Sequence, residues 1–201
     1  MDLTFSETGD WGLGWIAAEP RLMRRASHAL AHEGGVWLVD PVDGDDLDER
    51  LARLGEVRGV IQLLDRHRRD GAALAARHGV PLAEVPFDGV PGTPFAAVPV
   101  LRRRRWREVA LWWPARRALV VPEALGTVPY FLARGEALGV HPLLRLTPPR
   151  ALDGYPARHL LVGHGPSLHG DEVPALIGRA LARSRRDIPR WLAGLPRAAR
   201  R

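Results

Sequence analysis

The polar segment at residues 65–71 brings three titratable side chains close together in the chain. It reads Asp65-Arg66-His67-Arg68-Arg69-Asp70-Gly71, so two carboxylates and one imidazole lie within six positions. The apolar, β-branched run at residues 60–64 before it predicts a buried strand. The good helix formers at residues 72–78 after it predict a helix that Asp70 caps. Titratable groups just beyond the carboxyl end of a strand are typical of functional sites in α/β sheets.

Three more candidate residues end or follow predicted strands. Asp40 ends the strand at residues 36–40, and Glu123 follows the strand at residues 118–121. His164 follows the strand at residues 158–162, in a turn that reads Gly163-His164-Gly165-Pro166. Because strand ends meet at the edges of sheets, we expect five of the candidates to converge at one end: Asp65, His67, Asp70, Glu123 and His164.

The remaining pattern predicts a mixed α/β protein. Strands at residues 15–18, 26–31 and 36–40 precede a helix that begins near Asp45 or Asp46. The Pro- and Gly-rich residues 81–100 predict a short strand and then a loop that crosses between two halves of one domain. Strands at residues 108–113, 118–121 and 158–162 follow, with helices at residues 130–138 and after Asp171. We expect a single domain over residues 1–201.

Four short stretches resemble the metallo-β-lactamase superfamily of metal-dependent hydrolases. Residues 65–70 read DRHRRD where that family has HxHxDH, so only His67 keeps its identity. Residues 26–41 resemble the hairpin before the metal loop, and residues 108–127 resemble a strand pair that ends in a metal-bridging Asp. VGHGP at residues 162–166 resembles the turn that carries the last metal-binding His. The resemblance spans about residues 13–183 and implies a four-layer αββα sandwich.

The resemblance also implies a set of metal ligands. Asp65 and His67 would serve a first metal, Asp70 stands where a second metal has a His, Glu123 would bridge, and His164 would close the site. Asp40 would support the site from behind its ligands, or alternatively cap the turn at residues 41–44. The other histidines, which include His141, show no ligand spacing with a second His or carboxylate.

Two arginines occupy positions where the family has metal ligands. Arg69 replaces an Asp of the second metal, and Arg104 lies near the position of the third His. A guanidinium coordinates no metal, and it repels a nearby dication. We expect Arg69 to pair with Asp70 or Glu123 and to fill the place of the second metal.

Because few of the family's metal-ligand positions keep the family's own ligand residue, the sequence favours a divergent family member with an eroded metal site. In this hypothesis the protein is non-catalytic, binds no metal and uses its arginines to hold a small anion. The alternative is a hydrolase of an ester, thioester or lactone with one divalent metal, zinc by preference. Its ligands would be Asp65, His67 and His164, with or without Glu123.

Composition places the chain among globular proteins and leaves nucleic acid as a second alternative partner. Of its 201 residues, 46% are hydrophobic and 26% are charged, and there is no Cys to form disulfides or thiolate ligands. The acidic start and the lack of a spanning apolar run favour a cytoplasmic protein without a membrane partner. Residues 1–60 hold 12 acids and 6 arginines, whereas the remainder holds 11 acids and 23 arginines.

The run Arg102-Arg103-Arg104-Arg105-Trp106-Arg107 is the strongest charge cluster. Arginines beside a Trp could track a phosphate backbone and stack a base. A solvated edge strand, guarded by charge against edge pairing, explains the same run. Since no recognition motif accompanies it, we expect any nucleic-acid affinity to be weak and non-specific.

Overall fold

A computed structural model describes residues 1–18 and 23–198, with the side chains of residues 196–198 left out. Its first sheet has six strands that follow one another in chain order. The first four are joined antiparallel, and the last two pair in parallel with their neighbours. These strands are β1 (Leu3–Glu7), β2 (Gly12–Ala17), β3 (Ala26–His32), β4 (Gly35–Val39), β5 (Glu56–Gln62) and β6 (Leu82–Glu84).

The second sheet has five strands and comes from the other half of the chain. Its strands are β7 (Ala96–Arg103), β8 (Trp106–Trp113), β9 (Ala118–Val121), β12 (His159–Val162) and β13 (Leu168–His169), in the spatial order β13-β12-β9-β8-β7. A two-stranded ribbon, β10 (Leu125–Gly126) with β11 (Gly139–Val140), lies between β9 and β12 in the chain. Only β9 and β12 pair in parallel within the second sheet.

Helices cover the outer faces of both sheets. The helices are α1 (Leu47–Leu54), α2 (Gly71–His78), α3 (Val173–Arg183) and α4 (Ile188–Ala198). Leu51 of α1 and Leu74 of α2 pack in one apolar cluster with Trp15 and Leu38 of the first sheet. Ile177 of α3 packs in another cluster with residues of the second sheet.

The two sheets face each other across a third apolar cluster. Leu30 and Ile61 from the first sheet contact the same core as Leu111 and Trp113 from the second. The three apolar clusters thus lie between four successive layers, in the order helices, sheet, sheet and helices. This is the αββα sandwich that the family resemblance implies. Neighbouring Trp112 packs in the outer cluster instead, because successive strand residues point to opposite faces.

Two predicted elements differ from the structure. Residues 96–103 form the long edge strand β7, although the sequence predicts a loop through residue 100. Pro99 is tolerated because β7 lies at the sheet edge and its register shifts between Pro99 and Leu101. The helix expected at residues 130–138 is a series of turns. Within the described residues, no helix is both long and apolar enough to cross a bilayer.

Candidate metal centre

The loop from residue 65 to residue 70 turns His67 into the protein while its neighbours point outward. The His67 amide donates to the Leu64 carbonyl at 2.9 Å, which makes a tight turn straight after the strand. His67 is buried, whereas Arg66 and Arg68 on either side are exposed. The one residue of this loop that keeps its family identity is therefore the one aimed inward.

Glu123 and His164 are brought together by the parallel pairing of β9 and β12. In that register Val121 lies beside Val162, so the residues two positions further on also lie side by side. A Cβ on Gly163 would lie 2.0 Å from the Pro122 carbonyl oxygen, so only glycine permits this close approach. Gly163, the first glycine of the Gly-His-Gly turn, is thus required by the local packing, because it allows His164 to lie against Glu123.

One carboxylate oxygen of Glu123 receives two imidazoles. Nε2 of His67 and Nε2 of His164 each lie 2.9 Å from Oε2 of Glu123. All three side chains are buried, and each offers one ligand atom within 4.8 Å of the other two. The structure therefore brings together three of the five residues that we expected to converge.

The outer nitrogen of each imidazole is held by a different acceptor. Nδ1 of His67 lies 2.9 Å from Oδ2 of Asp40, and Oδ1 of Asp40 accepts from the Leu63 amide at 2.8 Å. Nδ1 of His164 lies 3.2 Å from the Met23 carbonyl oxygen. Metal-binding histidines use this arrangement, in which an acceptor at one nitrogen leaves the other nitrogen's lone pair for the metal.

The contact between Nε2 of His164 and Glu123 has no hydrogen between the two atoms when the ring is neutral. A carbonyl oxygen only accepts, so Nδ1 of His164 carries the hydrogen, and Nε2 of the neutral ring is a lone pair. Burial lowers the pKa of His164 despite its contact with Glu123, which favours that neutral ring. A lone pair would then face an oxygen of Glu123 at 2.9 Å. A cation shared between the two would turn this repulsion into attraction.

Glu123 is ionised in this setting. Burial by itself would raise the pKa of Glu123, but the contacts with the imidazoles of His141, His164 and His67 outweigh burial and hold the pKa well below its usual range. For His67, burial and Arg69 lower the pKa, yet Asp40 and Glu123 prevail and raise it. The centre thus combines an ionised carboxylate with two imidazoles whose pKa values shift in opposite directions, upward for His67 and downward for His164.

His141 is a site residue that sequence reasoning missed. Its Nδ1 accepts from the Leu143 amide at 3.2 Å, so its Nε2 carries the hydrogen and donates to Oε1 of Glu123, also at 3.2 Å. It follows β11 in a stretch without helical or strand periodicity. Its only sequence signal is Pro142 beyond it, which starts a short turn that His141 caps.

A second buried carboxylate supports the strand end that carries Glu123. Oε1 of Glu108 accepts from the amides of Glu123 and Ala124 at 3.2 and 2.8 Å, and Oε2 accepts from the indole of Trp106 at 2.7 Å. Burial raises the pKa of Glu108 to about 7 despite these donors. Sequence reasoning did not single out Glu108, because one acid in an apolar strand carries no spacing signal.

Asp65 and Asp70 bind backbone amides rather than join the centre. The Asp65 carboxylate accepts from the Arg107 amide at 3.1 Å, and the Asp70 carboxylate accepts from the Asp43 amide at 2.9 Å. Asp70 stands at the N-cap of α2 as expected, but it makes no side-chain capping bond there. Both residues instead tie the loop to neighbouring segments.

Arg69 is partly buried, but its hydrogen bonds differ from the carboxylate pair that we expected. Its guanidinium donates to the carbonyl oxygens of Ala26, Asp40 and Gly163, the last two at 2.8 and 3.0 Å. It thereby joins the ends of three strands behind the centre. Its backbone φ of 40° and that of Asp40, 44°, lie in the left-handed region, so local strain concentrates here.

The other arginine from the resemblance, Arg104, lies in the exposed turn between β7 and β8. Nearby, the guanidinium of Arg66 stacks over Trp106, 4.2 Å from the ring centroid. The edge position of β7 agrees with the solvated edge strand that we weighed for this arginine run.

Solved structures of metallo-β-lactamases match the fold over nearly the whole chain. One from Pontibacter korlensis is 14% identical, with a TM-score of 0.55 over 91% of this chain and 99% of that chain. One from Erythrobacter litoralis is 13% identical, with a TM-score of 0.56 over 92% of both chains. FIM-1 from Pseudomonas aeruginosa, in its mono-zinc form, is 9% identical, with a TM-score of 0.52 over 92% of this chain and 97% of that chain.

The likeness lies in the architecture rather than in the residues. No protein-family model matches the sequence, and no curated protein matches it either. The paired sheets, the outer helices and the high coverage of both chains nevertheless agree. This protein has the metallo-β-lactamase fold.

Proposed function

We propose that this protein binds one divalent metal, zinc by preference, through His67, Glu123 and His164, and that it is a hydrolase of an ester, thioester or lactone. The observation that carries the proposal is the unprotonated contact between Nε2 of His164 and the ionised Glu123. Two imidazoles and a carboxylate are the donor set of many catalytic zinc sites, which keep a further position open.

The chain's own residues prepare this donor set. Asp40 orients His67, the Met23 carbonyl orients His164, and His141 holds the second oxygen of Glu123. The ligand nitrogens are thus fixed before any metal arrives. A bound divalent metal would supply a Lewis acid that polarises a substrate carbonyl and lowers the pKa of water, so that hydroxide would be available as the nucleophile at neutral pH.

Arg69 favours one metal over two. Its positive charge lies close enough to interact with both Asp40 and Glu123, and burial lowers its pKa without removing the charge. A second dication beside a fixed guanidinium would be repelled. The carboxylates of Asp65 and Asp70, expected at the first and the second metal respectively, already accept backbone amides.

The alternative is the eroded, non-catalytic site that holds a small anion. One observation favours it: Nε of Arg69 is buried and makes no hydrogen bond within the described residues. An anion there would accept from that nitrogen. The remaining donors of Arg69 already bind carbonyl oxygens, which leaves little of its fork for a ligand.

Hydrolysis assays on metal-stripped and zinc-loaded protein test the proposal. We expect zinc to restore turnover of an aryl ester, an aryl thioester or a lactone, and Glu123→Gln to abolish it. His169→Gln, a change at an exposed imidazole, is the matched control and should keep full activity. Tight zinc binding without turnover of any of these substrates would overturn the hydrolase. Absence of zinc binding would overturn the whole proposal and favour the anion site.

A further inference from the structure

A cavity of about 280 Å³ lies away from the metal centre, between the turns at residues 134–138 and the helices α3 and α4. Its walls carry four guanidinium groups, from Arg134, Arg179, Arg183 and Arg190. None of the candidate metal ligands lines it. Any ligand of this cavity would therefore be separate from the metal centre.

The two acids in the cavity wall are already neutralised. Glu136 pairs with Arg145 at 2.7 Å, and Arg145 lies behind the wall with 1% of its side chain exposed. Asp187 is buried and pairs with Arg183 at 3.1 Å and with Arg190 at 3.3 Å. Each carboxylate is thus held by at least one cation.

Two guanidiniums in the wall keep their charge available. Among the described residues, Arg134 and Arg179 make no ion pair or side-chain hydrogen bond, and both are exposed. The site consequently presents two free cations, while Arg183 and Arg190 are pre-positioned by a buried acid. A guanidinium fork matches the geometry of phosphate oxygens.

The floor of the cavity is apolar. Leu176 of α3 exposes part of its side chain to the cavity, and the buried residues Leu138 and Ala180 lie beside it. A ligand that only carried charge would leave this surface without a partner. The volume lies just below the usual range for small-molecule sites, which fits a compact ligand rather than a polymer.

From this combination we propose that the cavity binds a small phosphomonoester whose body is apolar. Its dianionic phosphate would be held by Arg134 and Arg179, and its apolar part would cover the partly exposed Leu176. This site is independent of the metal centre, and neither proposal rests on the other. A phosphodiester backbone fits less well, because it offers one charge per phosphate and would track an open surface.

Calorimetric titration with phenyl phosphate at physiological salt tests the site, with inorganic phosphate as the probe that lacks the apolar body. We expect phenyl phosphate to bind, and inorganic phosphate to bind about tenfold more weakly because it leaves the floor uncovered. The double change Arg134→Gln and Arg179→Gln should weaken phenyl phosphate at least about tenfold, since both charge-assisted contacts are lost. Arg103→Gln with Arg105→Gln, on the exposed β7–β8 hairpin, is the charge-matched control and should change little.

Several results would overturn the proposal. One is equal loss of affinity in the control, which would mean a general charge effect. Another is equal binding of phenyl phosphate and inorganic phosphate. A third is a single-stranded oligonucleotide that binds more tightly than phenyl phosphate and depends on Arg134 and Arg179, which would assign the arginines to nucleic acid. Thermal melting of each variant checks that it is folded, and exposed arginines are expected to be replaced without loss of structure.

Discussion

Oδ2 of Asp40 lies 2.9 Å from Nδ1 of His67, although the two residues are 27 positions apart in the chain. Both side chains are buried, and the other oxygen of Asp40 accepts from the Leu63 amide. The carboxylate thus joins the end of β4 to the end of β5 and fixes the His67 ring. With that ring fixed, Nε2 points at Glu123, where a metal would need it.

Asp40→Asn should weaken zinc binding without unfolding the protein. An amide side chain cannot accept from both the Leu63 amide and His67, because one of its two ends is a donor. We expect zinc affinity to fall about 10- to 100-fold, the usual cost of losing such a support. Calorimetric titration of metal-stripped protein measures it, with Asp48→Asn on the exposed face of α1 as control. Unchanged affinity in Asp40→Asn would contradict the role given to Asp40.

His141→Phe should loosen Glu123. The change keeps a ring against Trp106 and Phe131 but removes the donor to Oε1 of Glu123. We expect zinc affinity to fall about tenfold, with the zinc stoichiometry retained, because His141 supports a ligand and is not one. His159→Phe, at a partly exposed strand position, is the matched control. If His141→Phe abolished zinc binding altogether, His141 would itself be a ligand.

Arg69→Gln should destabilise the fold more than the neighbouring Arg68→Gln. The guanidinium of Arg69 satisfies three carbonyl oxygens at the ends of three strands, whereas Arg68 is exposed. We expect the free energy of unfolding to drop by about 2–4 kcal/mol for Arg69→Gln, as buried carbonyls lose their donors. Urea denaturation measures both variants. Equal stability of the two variants would show that the carbonyl contacts contribute nothing.

Stability should decline in mildly acidic solution because of His28. This ring is buried on β3 with its Nε2 3.0 Å from the Val162 carbonyl oxygen, and burial lowers its pKa from 6.5 to about 4. Below pH 6.5 the unfolded chain takes up a proton that the folded protein refuses, so stability falls until about pH 4. The total loss from this group is about 3 kcal/mol.

His28→Gln isolates that contribution. Glutamine keeps an N–H for Val162 and has no proton to gain, so the variant's unfolding free energy should vary less between pH 6.5 and about 4. Urea denaturation of metal-free protein at several pH values compares the two profiles. Parallel profiles for the wild type and His28→Gln would show that His28 does not govern this range.

The sequence predicts the architecture well because the layers depend on periodic apolar residues. The strands at residues 118–121 and 159–162 and the helix at residues 71–78 carry strong local patterns, and the structure has them. The strand β7 was missed because its prolines and glycines favour a loop, and only the sheet edge makes Pro99 acceptable. Residues 130–138 have helical composition, yet Arg145 and Glu136 hold them as turns.

The site is less predictable than the fold because its partners are distant in the chain. Glu123 and His164 could be foreseen, since each follows a strand and the strands pair in parallel. His141 could not, because its contact with Glu123 depends on a turn without periodicity. The carbonyl partners of Arg69 could not be predicted either, because every residue has a backbone carbonyl and the residue type does not show which one is used.

Metal content of protein purified without added metal tests the central claim most directly. Inductively coupled plasma mass spectrometry should find one divalent metal per chain, with zinc foremost. Glu123→Gln should lose this metal, and the exposed change Glu49→Gln should retain it. Two metals per chain would contradict the single centre beside Arg69. A folded protein that carries no metal, and takes up none when zinc is supplied, would contradict the metal centre itself.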